Sequence, residues 1–272
     1  MNKKVLKTMI TAIIAVMTMT AISLCAFASS TGDVAGAIEG TWGTASSQIK
    51  QVVNNVVFAA STRPPYNKNW YMENGEIKSN GQPVPIEEIW EIIDDLENLN
   101  LSNTWEIEEV SAEDLNVFPN LKTVYIDSGN LKDFEVNNPN ITELTVKSQS
   151  LRTVKINGCH ELETFIIGPC QQNLHEIVVD NNHKLKSFEL LEIGPGDGTT
   201  GVIQVRNNPN LIKFSTTGNQ NLTIALENLD LFEKFDLLQS QRSGYFNYHI
   251  DFQKCPKFDK KNCTIDNNAT EI

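Results

Sequence analysis

Basic residues are scarce in this chain: 22 Lys and Arg stand against 34 Asp and Glu, a formal net charge of −12. So acidic a protein has few cations with which to neutralise phosphates, which argues against nucleic-acid binding and against a polybasic membrane-surface role. Glycine (15) and proline (10) are too few for a collagen-like or low-complexity chain. No HExxH, Gly-x-Ser-x-Gly or Walker pattern occurs, and no CxxC pair has zinc spacing. The sequence therefore nominates no catalytic, cofactor-binding or metal-ligating residue, and no cofactor. What is present, 40 % apolar and 21 % charged residues, suffices for a sizeable core.

The compartment is read from the first 28 residues. Lys3, Lys4 and Lys7 precede an apolar stretch over residues 5–27, which closes on Ala26-Phe27-Ala28. A basic, then apolar, then small-x-small order predicts a secretory signal over residues 1–28 and a secreted or cell-surface protein. An uncleaved anchor is the alternative, because the stretch is nearly long enough to span a bilayer. No second run of that length follows, so no membrane span is expected after signal cleavage. An oxidising compartment permits disulfides. Cys255 and Cys263 are spaced to close a short C-terminal loop, a possible disulfide, whereas Cys159 and Cys170 read as buried thiols at turns.

Residues 29–60 form an amphipathic helical segment, with Ala35, Ile38, Trp42, Ala45, Ile49, Val52, Val53 and Val56 at three- and four-residue steps. Together with the signal, this stretch resembles the start of small membrane proteins carried on conjugative elements of Gram-positive bacteria. The resemblance implies an accessory place in a conjugation apparatus as one functional alternative. A linker over residues 61–85 holds a small hairpin around Asn74-Gly75. Pro85 then opens a helix over residues 86–97, striped by Ile86, Ile89, Trp90, Ile93 and Leu96, which is expected to cap the domain that follows.

That domain repeats a frame of apolar, two variable, apolar, one variable, apolar. Instances are Leu121/Val124/Ile126, Leu131/Phe134/Val136, Ile141/Leu144/Val146, Leu151/Val154/Ile156, Leu162/Phe165/Ile167, Leu174/Ile177/Val179 and Leu185/Phe188/Leu190. Weaker copies include Leu211/Phe214, Leu222 with Ile224 or Ala225, and Phe232/Phe235/Leu237. The last two apolar positions of a frame lie two apart and share one side of a strand. Asn, Gly and Pro between frames supply turns, as in Asn137-Asn138-Pro139-Asn140 and Asn207-Asn208-Pro209-Asn210. So short a strand and turn cannot bury its apolar side alone, but stacked copies can. Alternate copies match best, so two frames make one coil, and the strands that begin at 121, 141, 162, 185, 211 and 232 stack into one parallel sheet.

The runs Phe118-Pro119-Asn120-Leu121-Lys122-Thr123-Val124-Tyr125-Ile126, Asn137 to Val146 and Asn207 to Phe214 resemble leucine-rich repeats of the irregular bacterial surface type. The expected fold is mainly β: a leucine-rich-repeat-like solenoid over residues 98–255 with two short strands per 20–23-residue turn, N-terminal helices, and a C-terminal cap and tail over residues 256–272. The resemblance implies a scaffold that binds protein or glycan at a cell surface, and no enzyme. The outward column of the first sheet then reads Tyr125, Thr145, Ile166, Glu189, Ser215 and Asp236, flanked by Thr123, Glu143, Thr164, Ser187 and Lys213. Of these, Tyr125, Glu143, Thr145, Thr164, Ile166, Ser187, Glu189 and Lys213 are the candidate ligand-binding residues. A polysaccharide-acting β-helix enzyme is the other alternative, and it needs paired carboxylates in a cleft.

Three features read as structural. The Gly-rich loop over residues 194–201 is a bulging insertion. His160, His175, His183 and His249 are surface histidines. Tyr245, Phe246, Tyr248, Phe252 and Phe258 pack the C-terminal end, with a ligand platform as the alternative.

Overall fold

The computed structural model describes residues 47–102, 107–170, 174–193, 200–218, 221–239 and 248–265. The signal segment, residues 29–46, Tyr245, Phe246 and residues 194–199 of the Gly-rich loop lie outside them. Two compact units divide the chain: residues up to Leu96 with Val117–Pro119, and Glu97–Asn116 with the remainder from Asn120.

In the first unit, α1 (Ser47–Ser61) packs on α2 (Ile86–Asp95) and on a three-stranded antiparallel sheet of β1 (Tyr71–Glu73), β2 (Glu76–Ser79) and β3 (Gln82–Pro83). Val52, Val53 and Val56 of the α1 stripe and Ile89 and Ile93 of the α2 stripe are buried, Val57 and Ile92 are buried beside them, and Ile86 and Trp90 of the expected stripe are half-buried. The expected hairpin turns at Asn74-Gly75, both at positive φ (53° and 79°), and Asn80-Gly81 repeats that geometry before β3. Pro85 caps α2 as expected. The helix ends at Asp95, two residues short of its expected limit, because Leu96 is already extended on the way into the next strand.

The second unit is a parallel β-solenoid whose coils contribute one strand to each of two walls. One wall has eight strands: β4 (Asn98–Ser102), β6 (Thr123–Asp127), β8 (Glu143–Lys147), β10 (Thr164–Ile167), β12 (Ser187–Ile193), β14 (Lys213–Gly218), β16 (Lys234–Gln239) and β18 (Cys263–Ile265). The facing wall has seven: β5 (Glu109–Val110), β7 (Asp133–Val136), β9 (Thr153–Asn157), β11 (Glu176–Asp180), β13 (Thr200–Arg206), β15 (Asn221–Glu227) and β17 (Tyr248–Gln253). Alternate segments pair in parallel, and the six strands expected to share a sheet do so. The solenoid runs past the expected limit of 255, because Cys263–Ile265 adds a strand to β16. In β15 the inward residues are Leu222, Ile224 and Leu226, so Ala225 faces out.

The two walls enclose a shared core. Phe165, Phe188, Phe214 and Phe235 occupy one inward register position on neighbouring strands of the eight-stranded wall. Their rings follow one another at centroid separations of 5.0, 4.7 and 5.4 Å. Parallel pairing in register forces this file, since each ring lies one inter-strand spacing from the next. At the C-terminal end Phe252 and Phe258 stack at 4.3 Å, and Phe258 meets Phe232 at 5.3 Å. These two aromatics are packed against other rings, which accords with the cap reading for them.

Candidate functional site

Every inward residue of a strand has outward neighbours, and the parallel register lines those up from coil to coil. On the eight-stranded wall one outward ladder runs Asn100, Tyr125, Thr145, Ile166, Glu189, Ser215, Asp236, Thr264. A second runs Asn98, Thr123, Glu143, Thr164, Ser187, Lys213, Lys234. The eight residues chosen from the sequence therefore sit together on two adjacent ladders of one face. Glu143 is exposed and the other seven are half-buried.

Local contacts fix parts of this face. Thr123 donates from Oγ1 to Asn98 Oδ1. Tyr125 donates its hydroxyl proton to Asp127 Oδ2 at 3.3 Å, and Lys147 on the next strand holds Nζ 5.2 Å from the Tyr125 ring centroid. That cation–π contact depends on Gly168, where a Cβ would collide with Lys147 Cγ. At the other end Asp236 is buried between Lys234 (3.0 Å) and Lys213 (3.8 Å). The ladder that holds the half-buried Tyr125 near one end thus holds, near the other, an enclosed carboxylate whose charge is already matched. Along the coil edges Lys186 and Glu163 pair at 2.7 Å, and this contact holds the Glu163 carboxyl below its ordinary range.

A polar file missed from the sequence lies at one corner of the coil, after the seven-stranded wall. Asn138, Cys159, Asn182, Asn208, Leu229 and Cys255 take equivalent places there, each three residues before the first apolar position of the next frame. Asn138, Asn182 and Asn208 are buried, and each donates from Nδ2 to a carbonyl one coil back: Leu115 (2.9 Å), Ile156 (3.4 Å) and Val179 (2.9 Å). Cys159 fills the same role with sulfur, donating to the Val136 carbonyl at 3.7 Å while the Asn138 N–H points at its Sγ. The residue before this file is left-handed in successive coils: Gly158, Asn181, Asn207, Asn228 and Lys254, with φ between 53° and 70°. Glycine and asparagine tolerate that region, which accounts for the Asn-rich turns.

The file also accounts for Cys255. Its thiol donates to the Leu226 carbonyl at 3.5 Å and receives the Leu229 N–H, the pattern that Cys159 shows four places earlier in the row. Cys263 opens β18 on the opposite wall. The two sulfurs anticipated as a possible disulfide are free thiols in the structure. Cys159 and Cys170 are buried thiols, as read from the sequence, and burial pushes each up to about 12. Burial also raises the Cys263 thiol to about 11, with help from Asp236.

Among the described residues no group of three or more His, Cys, Asp or Glu side chains is arranged to hold a metal ion. Nor is any helix among them long and apolar enough to cross a membrane.

Comparison with known proteins reaches only the N-terminus. Residues 2–63 match a family described as a protein of unknown function (DUF3852). No curated protein and no solved structure matches the chain. The matched segment ends before the first strand of the solenoid, so the likeness and the candidate face belong to different parts of the sequence.

Proposed function

We propose that this is a secreted or cell-surface, non-enzymatic repeat protein of leucine-rich-repeat-like type, which binds a protein or glycan partner through the outward face of its eight-stranded wall. The observation that carries the reading is the register. It sets Tyr125, Thr145, Ile166 and Glu189 in one straight row, and Glu143, Thr164, Ser187 and Lys213 in the row beside it. With strands about 4.8 Å apart, seven steps give a rigid surface about 34 Å long. A ligand laid across the strands meets one side chain per coil at fixed spacing, and loses little freedom on the protein's side. Hydroxyls, an aromatic ring, an aliphatic side chain and charges of both signs give that row the mixed chemistry of a recognition surface. The signal-like order of residues 1–28 supports export to the place where such partners occur.

The test presents the full chain to immobilised cell-wall polysaccharides, a glycan array and a panel of surface proteins. Thr145→Arg with Ile166→Arg should lower affinity for the retained partner by about tenfold or more, the size of losing a central contact. Gln204→Arg with Ala225→Arg, on the facing wall, should leave it unchanged. Equal binding by both double variants overturns the proposal. So does release of reducing ends from a polysaccharide that Glu143→Gln with Glu189→Gln abolishes, which would make the face an active site.

A further inference from the structure

His160 and His183 lie one coil apart, and each directly follows a residue of the buried corner file, Cys159 and Asn182 respectively. The file ties these two backbones together: the Cys159 N–H donates to Asn182 Oδ1 at 2.9 Å. The histidines are thus held side by side on a rigid corner, and both are exposed. Their rings stack with centroids 5.0 Å apart and planes 24° apart, and the two Nδ1 atoms approach to 3.1 Å. At that distance one Nδ1 carries a proton and the other accepts it.

The same separation suits a metal ion. Imidazole nitrogens bind late first-row divalent ions at about 2.0–2.1 Å, so two on one ion stand about 2.9 Å apart at an octahedral angle and about 3.4 Å at a tetrahedral one. The 3.1 Å between His160 and His183 falls inside this interval. We propose that His160 and His183 form a two-imidazole chelate for a divalent transition ion of the nickel, copper or zinc class, the ions that imidazole favours. The exposed rings have room to turn both Nδ1 lone pairs onto one ion, and binding displaces the proton they share. The nearest carboxylate in sequence, Glu161, is engaged by Lys184 at 2.6 Å. Among the described residues no third His, Cys, Asp or Glu joins them as a ligand, so these two imidazoles are the ligands the site offers there, with the other coordination positions left to solvent or to an outside donor. This site is at the corner of the coil and is independent of the candidate binding face.

The chain has four histidines in all, so the test can be complete. Untagged full-length protein is titrated calorimetrically with Ni²⁺, and proton release is followed in two buffers. His160→Asn and His183→Asn should each weaken binding on the order of 100-fold, the loss expected when a second linked ligand is removed. His175→Asn with His249→Asn, and Cys255→Ser with Cys263→Ser, should bind as the unaltered chain does. Circular dichroism confirms that each variant is folded. The proposal is overturned if the unaltered chain takes up no Ni²⁺, if the His160 and His183 variants bind as well as it does, or if the control variants lose the ion.

Discussion

Asn208 accepts the Asn182 backbone N–H at Oδ1, at 2.9 Å, and donates from Nδ2 to the Val179 carbonyl of the preceding coil, also at 2.9 Å. One buried amide thus satisfies a donor and an acceptor that the corner would otherwise leave orphaned. Asn182 does the same one coil back, for the Cys159 N–H and the Ile156 carbonyl. Truncating Asn182 to Ala should therefore destabilise the solenoid by about 3 kcal/mol, because both partners stay buried without water. Urea unfolding measures this. A loss as small as that of an exposed Asn→Ala control would show that the file contributes little.

Phe188 is sandwiched between Phe165 at 5.0 Å and Phe214 at 4.7 Å and is fully buried. Phe188→Ala should cost about 3–5 kcal/mol, since rings fixed by strand register cannot close the cavity. Phe188→Leu should cost distinctly less. Thermal unfolding of the pair gives the comparison, and equal losses would argue against a file of stacked rings.

Thr216 occupies an inward position between Leu190 and Leu237 on neighbouring strands, and its buried Oγ1 finds no partner among the described residues. Thr216→Val keeps the shape and removes the unpaired hydroxyl. A gain of about 1 kcal/mol is expected in denaturant unfolding. Destabilisation would mean that the hydroxyl is satisfied.

The thiols should separate by reactivity. Only the thiolate is nucleophilic, and the Cys159 and Cys170 thiols are both buried and raised to about 12. In folded protein at pH 8, iodoacetamide should label Cys255 and Cys263, slowly because both are also raised, and leave Cys159 and Cys170 untouched. Denaturant should equalise all four. Peptide mapping reads the result, and labelling of Cys159 in the folded chain would contradict the buried corner.

The coil was legible because its signal is periodic. Apolar pairs such as Val124/Ile126 and Leu144/Val146 recur at a beat that only stacking can bury, and the matching Asn-Asn-Pro-Asn turns at 137 and 207 stand before strands of the same wall. The hairpin at Asn74-Gly75 was legible for a local reason, since those residues suit positive φ. The corner file was not. Its members are Asn, Cys and Leu in turn, and Asn137-Asn138 is one residue shorter than Asn157-Gly158-Cys159, so the column emerges only when the coils are superposed. That same column sets the surroundings of Cys255, which its place eight residues before Cys263 cannot reveal. The last strand was missed because Cys263-Thr264-Ile265 has too little apolar pattern to stand out. The burial of Asp236 depends on Lys213 and Lys234 from two strands, a coincidence of register rather than of sequence.

That alternate segments share a wall, on which the binding face depends, is tested most directly by one distance. Spin labels at positions 125 and 215 sit four strands apart on the eight-stranded wall, from β6 to β14. Pulsed electron paramagnetic resonance should then give about 19 Å between the labelled backbones, four steps of about 4.8 Å. Segments zipped to their sequence neighbours would stand eight steps apart, and a distance near 38 Å would contradict the solenoid and the face together.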